Sequence, residues 1–405
     1  MRYVIAHLGG SGDGIRFPSK CFQSFQIIVY AYNDFSYTGK ETSALKPKKT
    51  ITPDPEKPYF VSEYNGHMYP TKIFDDEAHC VQHAIRHANV LKAMYANEDI
   101  AGCIGWCMFD YNTHKDFGSG DRICYHGVMD PFRNPKTAAA VYASQSDGNA
   151  VCEVSSSMLI GEHPGSILGD VYVFTNADSV RLYKEDSLLG EFFPNWAQYP
   201  NMPHPPVRID DFVGNLLEEE EGFDHKTAEQ IKACLNDVRK NGLNGISLKT
   251  KLKLAGLMLG KGLTMEDGVR LFCKYMGNWG GSSPAFRFEA RKDSCVIAEI
   301  TKAPPRHVRI QARASHVDLT EGNTYDAALV RIIATDENGN RLPYFNEPVT
   351  LSATGAIEII GPEVTALRGG AGGTLVRTIG ESGAGELTIQ VPGCEKVVIR
   401  FHILP

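Results

Sequence analysis

The stretch Val61-Ser-Glu-Tyr-Asn-Gly-His-Met-Tyr-Pro-Thr-Lys72 closes an apolar run, Pro58–Tyr64, that reads as a strand. Glu63 sits at the end of that run, and polar and aromatic residues follow at once. At the carboxyl end of a parallel strand, such a carboxylate projects into a ligand crevice. The flanking segments support a parallel arrangement. Ile27–Asn33 and Ile100–Phe109 read as further buried strands. Asp76–Tyr95 reads as a helix, with Cys80, Ala84, His87, Ala88 and Leu91 along one face, and Arg133–Ser144 as a short Ala-rich one. Strand alternating with helix predicts βα units over residues 1–148.

The second informative segment is Trp106-Cys-Met-Phe-Asp-Tyr-Asn-Thr-His-Lys-Asp-Phe-Gly-Ser-Gly-Asp121. A buried strand runs into a loop dense in aromatic and hydrogen-bonding groups. Sugars are held by such mixtures, because rings stack on C–H faces while carboxylates and amides take hydroxyls. Asp110, Asn112 and His114 are candidates for such contacts. His79, His83 and His87 recur at a spacing of four on the helix, which suits chelation. No carboxylate or fourth ligand accompanies them, so they read as surface or packed histidines and no metal site is assigned.

Beyond residue 148 the pattern changes. Val171–Phe174, Ser179–Tyr183 and Ser187–Gly190 read as short strands of an antiparallel sandwich. Residues 226–277 show helical periodicity, with breakers at Asn241–Gly245 and Gly260–Thr264. Phe286–Ala290 and Val296–Ile300 return to strand. The helices therefore read as an insertion in a loop of an immunoglobulin-like sandwich spanning 149–303. Residues 304–405 carry strand patterns at Val308–Ala312, Ala327–Thr335, Val349–Ala353, Gly373–Thr378, Gly385–Val391 and Lys396–His402, with a turn at Asp336-Glu-Asn-Gly339. They predict a second immunoglobulin-like sandwich of about seven strands.

Composition excludes several classes. The 405 residues carry 41 Lys+Arg against 48 Asp+Glu, a net charge of −7, which argues against a nucleic-acid partner. No apolar run reaches the roughly 18–20 residues of a membrane span, and MRYVIAHLGG lacks the features of a secretory signal. Ten cysteines are scattered from Cys21 to Cys394 without a CxxC pair. Reduced thiols in a cytoplasmic bacterial protein are the expectation.

Collectively, Tyr30-Ala-Tyr-Asn-Asp-Phe35, Lys46-Pro-Lys-Lys49, Ser62-Glu-Tyr64, Gly105-Trp106, Asp121-Arg122, Gly127-Val128 and Arg133-Asn-Pro-Lys136 resemble the C-terminal part of the catalytic barrel of glycoside hydrolase family 2, the family of β-galactosidases and β-glucuronidases. Val171-Tyr-Val-Phe-Thr-Asn-Ala-Asp178 and Leu367-Arg-Gly-Gly-Ala-Gly-Gly-Thr374 resemble its trailing sandwiches. The resemblance implies the last three βα units of a (β/α)8 TIM barrel, followed by the two β-sandwiches. It also implies a retaining mechanism, with Glu63 as nucleophile. Trp106 would be a substrate platform and His67 a sugar ligand, though offset by one residue. Tyr32, Asn33, Tyr64 and Asn65 would also line the substrate. The family tyrosine that bonds the nucleophile falls at Tyr30, Tyr32 or a neighbour.

One departure matters most. The family's acid/base Glu follows an Asn at the end of the fourth barrel strand, and no Asn-Glu pair precedes Glu63. The resemblance thus implies a C-terminal fragment, inactive alone, whose partner is the missing N-terminal half of the same enzyme. Cys124-Tyr-His-Gly127 lacks the Asn-x-Lys with which glucuronidases hold the sugar carboxylate, which favours a β-galactoside or related oligosaccharide. His126 stands where galactosidases place an Asn near a sodium ion, so neither sodium nor magnesium is assigned as a cofactor. A homo-oligomer is compatible with this reading, and a membrane partner is not expected. The alternatives are a non-catalytic carbohydrate-binding or structural fragment, and a β-glucuronidase or mannosidase of the same family.

Overall fold

A computed structural model of the chain describes residues 29–37, 39, 45–52, 54–64, 69–114, 120–159, 169–277 and 283–405. Strands β1 (Tyr30–Asp34) and β2 (Tyr59–Tyr64) are followed by helix α1 (Glu77–Tyr95) and strand β3 (Ile100–Gly105). The three strands form one parallel sheet in the order β1-β2-β3. The side chains of Tyr59, Val61 and Tyr64 are fully buried beneath it, against Val90 and Ile100. The register steps from Tyr32 opposite Val61 to Asn33 opposite Glu63. Ser62 is therefore an extra residue on β2, a bulge of the kind that re-aims side chains beside active sites.

Asp76 caps α1 by accepting from the His79 amide at 2.9 Å. Strand β3 ends at Gly105, short of the expected Phe109. Beyond it the backbone turns: the Trp106 amide donates to Tyr64 O and the Cys107 amide to His126 O. The Trp106–Cys107 peptide is cis. A small antiparallel pair follows, β4 (Tyr111–Asn112) with β5 (Ile123–Cys124), and then α2 (Thr137–Ala143). Helix α2 starts four residues later than expected, because Asp130 takes the Phe132 and Asn134 amides into a turn. Ala84 and Ala88 of α1 meet Ala138 and Val141 of α2 in a core that Phe174, Tyr199 and Met202 complete.

The next elements are β6 (Cys152–Val154), β7 (Val171–Thr175), β8 (Ser179–Lys184), β9 (Ser187–Phe192), β10 (Val207–Ile209), α3 (Leu216–Glu219), α4 (His225–Gly245), α5 (Leu248–Lys261), α6 (Met265–Tyr275), β11 (Phe286–Lys292) and β12 (Cys295–Lys302). The strands make sheets β10-β7-β6 and β12-β11-β8-β9. The expected break at 241–245 is a kink inside α4, where Gly242 has φ 67°. Gly262, with φ 70°, ends α5 in the left-handed conformation that glycine adopts most readily. The inner faces of these helices, including Ile231, Leu235, Leu257 and Leu271, share one core with Val173, Leu182 and Phe288. Arg239 ties α4 down: it is buried, its guanidinium lies over Phe212, and it donates to Gly169 O at 2.7 Å.

The last unit holds β13 (Arg309–Ala314), β14 (Asp318–Thr320), β15 (Ala327–Thr335), β16 (Pro348–Gly355), β17 (Ile357–Ile360), β18 (Val364–Ala366), β19 (Ala371–Thr378), β20 (Gly383–Gln390) and β21 (Val397–Leu404). Its sheets are β13-β15-β19-β17 and β14-β21-β20-β16-β18. That is two strands more than expected, and β14, β17 and β18 are too short to show a period. Buried and half-buried residues alternate along β15, as a strand with one face on a core requires. The whole is an α/β unit joined to β-sandwich units. The joint includes a hydrogen bond from Asn134 Nδ2 to Gly372 O at 2.9 Å, with Phe132 packed on Gly373.

Candidate active site

The carboxyl ends of β1, β2 and β3 present Asp34, Glu63 and Trp106. Asn33 Nδ2 donates to Glu63 Oε2 at 3.1 Å. Ser62 Oγ donates to Asn33 Oδ1 at 2.7 Å. The bulge at Ser62 makes this possible, since it brings two consecutive β2 residues to the same amide. A donor held in place at one carboxylate oxygen restricts the directions the carboxylate can take, which favours an oriented nucleophile.

Asp34 is buried and secures the neighbouring loop. It accepts from the Ser36 amide at 2.9 Å, from Ser36 Oγ at 2.6 Å and from the Lys46 amide at 2.6 Å. Lys46 is thereby delivered to β1, where its Nζ donates to Tyr32 Oη at 2.9 Å. Among the tyrosine and neighbour alternatives on β1, Asn33 is the residue in register with Glu63 and bonded to it.

Trp106 is half-buried. Its Nε1 donates to Tyr111 Oη at 3.2 Å, and the two rings meet edge to face at 5.9 Å. The position before it admits only glycine without rearrangement: a Cβ on Gly105 would lie 2.5 Å from Tyr142 Oη.

Two substrate contacts expected from the sequence are corrected. Tyr64 is wholly buried, because its side chain falls on the face of β2 opposite Glu63. Its Oη lies 2.5 Å from Tyr142 Oη, which in turn lies 2.7 Å from His87 Nδ1. Burial pushes the Tyr64 hydroxyl well above its ordinary value, so it is a neutral packing group. Asp110 is also buried. It accepts from Lys136 Nζ at 2.7 Å and from the Gly127 amide at 2.9 Å, and Lys136 Nζ also donates to Thr71 O. These bonds tie three loops together beneath the site. Asn112 and His114 are exposed on and after β4. Asn65 and His67 lie outside the described residues.

His83 and His87 form a buried pair, Nε2 to Nε2 at 3.2 Å, and His79 stacks on Tyr69. Burial lowers the pKa of His83 far below the usual imidazole value and that of His87 to about 3, so both are neutral. No group of three or more His, Cys, Asp or Glu among the described residues could hold a metal ion. His126 instead meets Cys124 Sγ through Nδ1 at 2.9 Å. The sequence passed over Ser62 and Tyr111, although both lie within the two segments that drew attention.

No family model matches the chain. The β-galactosidase of Thermoanaerobacterium thermosulfurigenes is 33% identical over 362 residues, covering 88% of this chain and 42% of that protein. The β-galactosidase of Thermoanaerobacter pseudethanolicus is 31% identical, over 88% of this chain and 39% of that protein. The chain thus spans about two-fifths of the length of these curated relatives. A shorter β-galactosidase sequence from Rhizobium radiobacter is 33% identical over 95 residues, 67% of its own length and 24% of this chain. In fold, the chain is similar to a glycosyl hydrolase family 2 member from Bacteroides cellulosilyticus, with a TM-score of 0.50 at 13% identity over 88% of this chain and 46% of that one. A solved β-glucuronidase of glycoside hydrolase family 2 gives a TM-score of 0.50 at 16% identity over 87% of this chain and 32% of that one. Taken with the carboxylate that β1 and β2 hold in place, these likenesses establish that the chain belongs to glycoside hydrolase family 2 and matches that family's C-terminal region.

Proposed function

We propose that this chain carries the nucleophile of a retaining β-glycosidase acting on terminal β-D-galactosides. The observation that carries the reading is the Asn33–Glu63 bond at the carboxyl end of a parallel sheet. A Glu63 oxygen attacks the anomeric carbon as the glycosidic C–O bond breaks, which leaves a glycosyl ester. The leaving oxygen takes a proton from a second carboxyl group about 5–5.5 Å away. That group then removes a proton from water, water attacks the ester, and the Glu63 carboxylate is regenerated. The acid/base is supplied by a segment preceding these residues in a longer enzyme, as the span of the relatives and the lack of an Asn-Glu pair before Glu63 suggest. Trp106 offers its ring to the sugar's C–H face, with Tyr111 bracing it. Galactose is preferred over a glucuronide, because Cys124-Tyr-His-Gly127 supplies no lysine for a sugar carboxylate.

The test uses the enzyme joined to its acid/base segment. A 2-deoxy-2-fluoro galactoside with a good leaving group should tag the peptide containing Glu63, read by mass spectrometry. Glu63→Gly should lose turnover by at least about 10³-fold and regain it with azide, yielding the α-galactosyl azide. A tag on another residue, or a Glu63 variant with undiminished turnover, would remove Glu63 from the mechanism.

A further inference from the structure

Helix α5 is apolar on two opposite faces. Thr250, Leu254 and Leu257 point inward to the core. On the other side Leu248, Leu252 and Leu259 are 74%, 67% and 90% exposed, with Ala255 completing the stripe. A second apolar stripe left open between charged positions is an unpartnered face of the kind that marks an association surface. Helix α6 adds Met265 and Val269, one turn apart and more than half exposed. We infer that the outer face of α5 is the seam of a two-fold dimer, covered by α5 of a second copy of this chain running antiparallel.

Three observations point to a second copy as the occupant. The spacing Leu248, Leu252, Ala255, Leu259 runs four, three, four and reads the same in both directions. A two-fold axis at its midpoint sets Leu248 against the partner's Leu259, and the large Leu252 against the partner's small Ala255. That self-match is what an isologous interface needs. The charges agree: Lys249 and Lys251 flank the first half of the stripe and make no ion pair among the described residues. Antiparallel pairing sets them beside the partner's uncharged Gly256–Gly260 stretch, whereas parallel pairing would stack lysine on lysine. The area also suffices. The exposed apolar side chains offer on the order of 500 Å², and the lysine stems extend it toward the roughly 800 Å² that each partner gives a standard interface.

The test is the mass of the full 405-residue chain in solution, by sedimentation equilibrium at tens of micromolar. The expected result is a dimer that L252E/L259E converts to monomer, weakening association at least about 100-fold, with an unchanged far-UV circular dichroism spectrum. Ala255→Arg, on an exposed position that a folded monomer tolerates, should do the same. A monomeric parent chain overturns the inference, as does a dimer that survives either variant.

Discussion

Ser62 Oγ and Glu63 Oε2 hold the two ends of one amide, that of Asn33, at 2.7 and 3.1 Å. The serine accordingly decides which way the amide faces, and the amide decides where the carboxylate points. In the enzyme joined to its acid/base segment, Asn33→Asp should lower kcat by about 10²-fold, as loss of one oriented donor does. It should also move the acidic limb of the pH–rate profile upward, because a second negative charge favours protonated Glu63. Ser62→Ala should cost only a few-fold. An Asn33→Asp profile whose acidic limb stays in place would show that the bond does not bear on the reaction.

Trp106 and Tyr111 are a second coupled pair. Tyr111→Phe keeps the ring and deletes the acceptor for Nε1. We expect KM for a galactoside to rise about 3–10-fold with kcat nearly unchanged, the mark of weakened uniform binding. Trp106→Ala should raise KM much further. Steady-state kinetics with one galactoside suffice, and an unaltered KM in Trp106→Ala would dismiss the platform.

The His83–His87 pair makes stability depend on pH. Both imidazoles are held neutral by burial, so below about pH 6.5 the unfolded chain binds protons that the folded chain refuses. Their contribution is therefore complete above about pH 6.5 and is lost as pH falls below it, down to about 3 for His87. Between pH 6.5 and 4.5 the His87 imidazole should remove roughly 2–3 kcal/mol of unfolding free energy, with His83 acting in the same direction. Urea titrations across that range should show a shallower slope for His83→Phe. An identical slope would locate the acid sensitivity elsewhere.

Asp110 and Lys136 are each about 1% exposed. Burial raises the Asp110 pKa to about 6 and lowers that of Lys136, so for both partners desolvation outweighs their mutual attraction. Lys136→Met should nevertheless destabilise by about 3–5 kcal/mol, because it strands a buried carboxylate. Adding Asp110→Asn should recover much of that loss. Denaturant midpoints measure both, and a single variant as stable as the parent would contradict the pair's role.

Local pattern sufficed for some of this and not for the rest. The Tyr59–Tyr64 strand, α1 and Ala327–Thr335 announce themselves through period and composition. The bulge at Ser62 does not, since it exists only in the pairing with a strand about 30 residues away. Glu63 was legible as a strand-end carboxylate. That Tyr64 turns away from it follows from strand alternation, a signal present in the sequence and outweighed there by residue type. Asp110 read as a sugar contact because its cation stands 26 residues further on, in a motif with no visible link to it. The outer stripe of α5 was legible as apolar, but only the packing of α4 and α6 shows which of its two faces stays open.

The bond from Asn134 to Gly372 has a consequence for the order in which the protein is made. The helices behind the site rest on Phe174, Tyr199 and Met202, and the loop before α2 rests on the last sandwich. A ribosome reaches Gly372 only about 300 residues after Glu63. The crevice that orients the nucleophile can therefore reach its final form only once the sandwich carrying Gly372 has emerged, and a chain cut short before it carries Glu63 without the full support of its surroundings.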